Sequence, residues 1–152
     1  MSEAHITTYH IRSMSIEDFD DITTLWTSTE GLSLSEDDTR DRLSVYLSRN
    51  QGLSFVAFID DQIVGTVLCG HDGRRGVLRH LAVAEHCRGS GIARELVSRS
   101  IAALARQDIH KCNLYVLDSN PSARRFWQHV GWYELEDNYR TLQTPTGLQD
   151  TR

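Results

Sequence analysis

The chain has 152 residues, a formal net charge of −5, 39% hydrophobic and 24% charged residues. That length suits one domain with its own core, and the composition excludes disordered and fibrous classes. The acidic balance excludes nucleic-acid binding through a general basic field. Cys69, Cys87 and Cys112 include no C-x-x-C and are expected as reduced thiols of a cytoplasmic protein. No apolar run has signal-peptide or membrane-span length, so no membrane association is expected. The seven histidines lack metal-ligand spacing, so no metal is expected.

The elements follow in chain order. ITTYHIRSM (6–14) is β-rich and reads as a first strand. SIEDFDDITTLW has Ser15 as N-cap, acids in its first turn, and Ile16, Phe19, Ile22 and Trp26 at helical spacing. After the polar loop TSTEGLSL, SEDDTRDRLSVYLSRN starts with a Ser-capped acidic turn and puts Leu43, Tyr46 and Leu47 on one helical face. LSFVAFI and QIVGTVLCG are strands joined by a tight turn at Asp60–Asp61. VLRHLAV (77–83) is the next strand. From Ser90 to about Arg106, an apolar stripe of Ile92, Ala93, Leu96, Val97, Ile101 and Leu104 marks a long amphipathic helix.

KCNLYVLD (111–118) reads as a fifth strand. Asn120 then caps a last helix with Pro121 at its first position and Gly131 as its stop. WYELE and the segment 139–142 are expected to close the domain as short strands, before a polar tail from 143. No linker or repeat divides the chain, so one domain over 1–152 is expected, its ordered core at about 6–142. The element order indicates a mixed α/β sandwich, neither a doubly wound sheet nor a barrel.

The stretch VAEHCRGSGIARELV joins a strand to the long helix through two glycines. A Walker loop would need a lysine after its second glycine, but Lys111 is the chain's only lysine. A dinucleotide fingerprint would need a third glycine and a different topology. What remains is Arg88-Gly89-Ser90-Gly91-Ile92-Ala93, an R-x-x-G-x-A run at a helix start. Glycines let a phosphate oxygen approach the main chain, and first-turn N–H groups and the helix dipole favour its charge. Arg88 and Arg94 add cations.

LAVAEHCRGSGIARELV and LYVLDSNPSARRFWQHVGW together resemble the GNAT N-acetyltransferases, with the order of elements matching from about 6 to 142. The resemblance implies a mostly antiparallel sheet flanked by four helices. It also implies acetyl transfer from acetyl-CoA, as co-substrate, directly to a primary amine of a small molecule or protein. Carried over, it assigns the coenzyme diphosphate to Arg88, Gly89, Ser90, Gly91, Ile92 and Ala93. The pantetheine arm would run along the main chain of Leu81, Ala82 and Val83, and the Val83 N–H would polarise the thioester carbonyl. Asn120 reads both as a helix cap and as the family's pantetheine contact. A homodimer through the closing strands is common in the family. A coenzyme-binding module without catalysis, or a transferase of another acyl group, would use the same loop.

The family's leaving-group tyrosine is replaced by Trp127, whose indole cannot transfer a proton at neutral pH; it is expected to pack along the pantetheine channel. Tyr115, Tyr133 and Tyr139 are alternative acids. Glu85 and His86 flank the loop and could relay a proton through water. Arg79 shares strand parity with Val77, Leu81 and Val83 and is expected to face the acceptor, where it could clamp a carboxylate. His80, of opposite parity, is expected to pack against a helix. Glu30 lies where the family builds its acceptor wall. Cys87 precedes a helix start, but direct transfer is the family pattern and no His–Asp pair is evident in the sequence. The acidic loop 29–38 favours a cationic amine and Arg79 a carboxylate-bearing one, so the acceptor stays open.

Overall fold

A computed structural model of the chain describes residues 8–136 and 139–145. The chain forms two compact units, one running to Leu117 and the other starting at Asp118. The first holds a five-stranded sheet in the order β1 (His10–Ser13), β2 (Phe55–Ile59), β3 (Gln62–His71), β4 (Gly76–Val83) and β5 (Cys112–Asn113). Neighbours are antiparallel except β4 and β5, which run parallel. The first unit also carries α1 (Phe19–Ser28), α2 (Arg40–Arg49) and α3 (Ile92–Arg106), and the second carries α4 (Pro121–His129). The expected mixed α/β class is therefore the observed one.

Local chemistry sets the boundaries. Asp60 and Asp61 adopt φ of 46° and 65°, the double left-handed turn that joins two-residue hairpins. Ser15 caps a 3-10 turn (Ile16–Asp18) that leads into α1, and Asp18 returns a hydrogen bond to the Ser15 N–H at 2.9 Å. Arg12 grips the same carboxylate with two bonds of 2.8 Å. Ser35 caps only the turn Glu36–Asp38. The extended backbone of Thr39 (ψ 162°) breaks the path, and its hydroxyl caps α2 itself by accepting from Arg42 N–H. The second helix thus begins later than its acidic start suggests.

One sheet face packs on α1 and α2, where Ile22, Leu25, Trp26 and Leu43 join Met14, Val56, Leu68 and Ala82 in a single cluster. Each fully buried side chain of this size contributes roughly 1.5–3 kcal/mol. The opposite face meets α3. A Cβ on Gly65 would lie 3.0 Å from Ile92 Cγ2, and one on Gly76 would lie 2.5 Å from Leu104 Cδ1. Glycine at these two strand positions is what lets α3 come this near.

Three expectations need correction. The fifth strand is two residues, not eight, because β4 pairs with it only at Gly76↔Cys112 and Val77↔Asn113 and then turns away. Without a ladder partner, 114–118 has strand composition but no strand. The closing segments 132–136 and 139–142 likewise form no strand among the described residues, and Tyr133 and Leu142 stand 82% and 92% exposed. The first strand begins at His10; the Ile6 and Thr7 assigned to it, and 146–152 of the expected tail, lie outside the described residues.

Candidate functional site

The site begins with a bulge in β4. Leu68 pairs with Arg79 and Thr66 with Ala82, so β4 takes three steps where β3 takes two. The extra residue reverses which face each later side chain meets. Arg79 pairs with Leu68 and Ala82 with Thr66, on the α1/α2 face, while Val83 pairs with Gly65 on the α3 face. This corrects the parity expectation. Arg79 is exposed on the face opposite Val83, and counting by twos fails across the bulge.

At the bulge, His80 adopts φ of 50°, a left-handed backbone that is uncommon outside glycine. Several contacts hold it there. Thr66 Oγ1 donates to the His80 carbonyl at 2.9 Å and accepts the Trp26 indole N–H at 2.8 Å. The imidazole meets the Trp26 ring edge-on, with centroids 4.7 Å apart. His80 Nε2 lies 2.8 Å from Asp38 Oδ1, and Asp38 Oδ2 accepts the Ser35 N–H at 2.9 Å. His80 does pack against a helix, as expected of it. The carboxylate beside it is the surprise: a His–Asp pair that the sequence hides, 42 residues apart.

Beyond the bulge, β4 has an open edge. Ala84 N–H donates to Val64 O at 2.8 Å, so the ladder's alternation turns the Val83 N–H and C=O away from β3. On that side β5 reaches only Val77, and no strand among the described residues covers Val83.

The loop that follows gives α3 a start unlike those of α2 and α4, and unlike that of α1, which also lacks a side-chain cap but continues a turn capped by Ser15. Gly89 and Gly91 adopt φ of 80° and 87°, and a Cβ at either would meet nothing within 4 Å. Packing does not demand these glycines; conformation and open space above the main chain do. Ser15, Ser35, Thr39 and Asn120 cap their segments with side chains, whereas no side chain caps α3. Its first-turn N–H groups are left facing that space. Ser90 Oγ donates back to the Cys87 carbonyl, bracing the turn. Glu95 is drawn aside by Tyr9 Oη at 3.1 Å and by Arg99 at 3.5 Å.

A cleft of about 590 Å³ brings Glu30, Val83, Glu85, His86 and Arg88 to one lining, with Asp60 and Asp61 on its rim. Glu30 and Glu85 are both exposed. Of the alternative acids, Tyr115 and Tyr139 are 78% and 74% exposed, as Tyr133 also is. Tyr46, on the expected inner face of α2, lies over Gly70 with its hydroxyl buried and without a partner among the described residues. Burial pushes its phenol well above the ordinary range. Burial likewise pushes the Cys69 and Cys112 thiols up to about 12 and about 11, which makes them poor nucleophiles. Cys87 is a buried free thiol.

In the second unit, Asn120 Oδ1 accepts the Ala123 N–H at 3.2 Å, so its capping role is realised. Oδ1 also accepts the Ser122 hydroxyl at 3.1 Å, which leaves Nδ2 as the group free to donate. Trp127 packs edge-on against Phe126 (centroids 5.2 Å) and lies 4.9 Å from the Trp132 ring.

Residues 17–132 match the model of the acetyltransferase (GNAT) family. The chain belongs to the GNAT acetyltransferase family. A curated acetyltransferase of Sodalis glossinidius (strain morsitans) is 31% identical over 132 residues, covering 87% of this chain and 92% of its own. The PaiA N-acetyltransferase of Thermoplasma acidophilum, solved in complex with coenzyme A, has the same fold. It superposes with a TM-score of 0.73 at 20% identity, over 86% of this chain and 93% of its own. A predicted acetyltransferase of Clostridium acetobutylicum, solved with acetyl-CoA, gives 0.68 at 15% identity, over 89% and 96%. The GNAT chain described here is accordingly an acyltransferase enzyme. Among the described residues no helix is long and apolar enough to cross a membrane.

Proposed function

We propose that the enzyme moves the acetyl group of acetyl-CoA directly onto a primary amine of a small molecule or protein. One observation carries the reading: α3 starts without a side-chain cap, behind two glycines held in left-handed backbone with open space above them. The diphosphate of the coenzyme fits that start, its charge met by first-turn N–H groups and Arg88. The pantetheine arm runs along the uncovered edge of Leu81 to Val83, adding the strand that β5 does not supply. The Val83 N–H then points at the thioester oxygen and strengthens its hold as that oxygen becomes an oxyanion.

The acceptor enters from the α1/α2 side, with Glu30 and Glu85 lining its approach. The carboxylates of that cleft favour a cationic amine. A coenzyme thiolate, with a pKa of roughly 8.5 for its thiol class, leaves without a dedicated acid. The test is thiol release from acetyl-CoA with spermidine, an aminoglycoside and an alanine-led peptide as separate acceptors, and from succinyl-CoA in parallel. Amine-dependent thiol release with an acetylated product in the mass spectrum supports the reading. No release with any of these amines refutes it.

A further inference from the structure

We propose that His80 is the catalytic base of this enzyme and that Asp38 is its positioning residue. The proposal rests on the transferase reading above and names a group on β4, three residues before Val83. It begins from the backbone. A histidine in left-handed conformation costs on the order of 1–3 kcal/mol unless the surroundings over-determine it. Here the Thr66 hydroxyl, the Trp26 ring edge and the Asp38 carboxylate all fix it. A half-buried residue that served packing alone would need none of this.

The chemistry of the pair sets the tautomer. A carboxylate only accepts, so the hydrogen between Asp38 Oδ1 and His80 must sit on Nε2. Nδ1 then carries the lone pair, and it has no hydrogen-bond partner among the described residues. Asp38 is itself held by the Ser35 N–H, and its side chain is only 10% exposed. It can neither swing away nor rotate without losing that bond. Asp38 thus orients the ring and stabilises the cation that forms when Nδ1 takes a proton. The other charged side chain beside the ring along β4 is the exposed Arg79.

Position completes the case. The bulge lies where β4 parts from β5, three residues before Val83, and His80 is on the α1/α2 face. The donor loop leads into α3, on the opposite face. The amine therefore meets the thioester carbon from the side that carries the imidazole. The amine attacks in its neutral form, its ammonium proton having gone to water; as the N–C bond forms and the C–S bond breaks, His80 Nδ1 takes one proton from the amine nitrogen, directly or through one water. That proton then passes to the departing thiolate, leaving amide and free coenzyme thiol.

The test uses His80→Asn, because asparagine tolerates left-handed backbone and keeps an amide near Asp38 but takes up no proton. Spermidine, an aminoglycoside and an alanine-led peptide serve as acceptor probes, with acetyl-CoA affinity and urea stability measured alongside. The expected result is a loss of kcat of about 100-fold with acetyl-CoA affinity within twofold, and loss of the acid limb of the pH profile. Asp38→Asn should displace that limb and Asp38→Glu should restore part of it. In the wild type, nitrogen NMR of the neutral ring should report hydrogen on Nε2. A folded His80→Asn protein with kcat within threefold and the same pH profile overturns the proposal alone, as does hydrogen on Nδ1. A wild type that releases no thiol with any probe overturns the transferase reading with it.

Discussion

Thr66→Val isolates the device that holds the bulge. Valine has the shape of threonine, so no cavity opens in a site that is fully buried. What disappears is one oxygen with two jobs, accepting the Trp26 indole N–H at 2.8 Å and donating to the His80 carbonyl at 2.9 Å. Trp26 is itself fully buried, so its N–H is left with neither protein nor solvent. A buried polar group left unpaired costs roughly 1–3 kcal/mol, and two such losses put the change at about 3 kcal/mol. With a urea slope of about 2 kcal/mol per molar, the unfolding midpoint should fall by about 1.5 M. Trp26→Phe removes the donor beforehand, so Thr66→Val should cost at least 1 kcal/mol less in that background. Urea denaturation of the four proteins followed by circular dichroism measures both quantities. A loss below about 1 kcal/mol, or strict additivity of the two substitutions, would refute the account of how the bulge is held.

Two further expectations concern stability and the leaving group. Burial alone would raise the Asp18 carboxyl, but the Arg12 guanidinium and the Ser15 N–H outweigh it and hold the group below its ordinary range. A depressed folded value means that the stabilisation is complete above the ordinary carboxylate range and is lost as pH falls through the folded value. Asp18→Asn should therefore cost about 1 kcal/mol at pH 7, discounted for the half-exposed Arg12, and the gap from wild type should close below about pH 4. Urea midpoints at pH 7 and pH 3 that differ from wild type equally would contradict this. Trp127→Tyr should preserve or raise turnover, since the indole is held by ring packing alone among the described contacts. A tenfold fall in kcat, with the fold intact, would show that the indole does more than fill space.

The glycine turn and the start of α3 were legible in the sequence because their grammar is local. Arginine, glycine spacing and helix onset fall within six residues, and each has a backbone reason that needs no tertiary context. The hairpin at Asp60–Asp61 and the capped α4 were readable on the same grounds. The bulge was not. Strand parity assumes a period of two, and nothing in VLRHLAV announces that His80 will take a backbone favoured by glycine. Its partner Asp38 reads as one more acid in a solvated turn until the fold brings β4 across it. Parity puts Arg79 on the face of Val83 for the same reason, and the extra residue between them separates the two. The long fifth strand and the closing strands erred in another way. Their β-composition is real, but a strand exists only where a neighbour accepts its hydrogen bonds.

The central claim is that the loop before α3 holds the coenzyme diphosphate. Calorimetric titration of acetyl-CoA into the wild type and into Gly91→Glu tests it most directly. Glutamate at this position adds a negative charge and a side chain in the open space above the loop, at a φ of 87°. The backbone strain costs roughly 1–2 kcal/mol, so circular dichroism must first show the variant folded. The expected result is one acetyl-CoA bound per wild-type chain and no measurable binding to the folded variant. Equal affinity in both would contradict it.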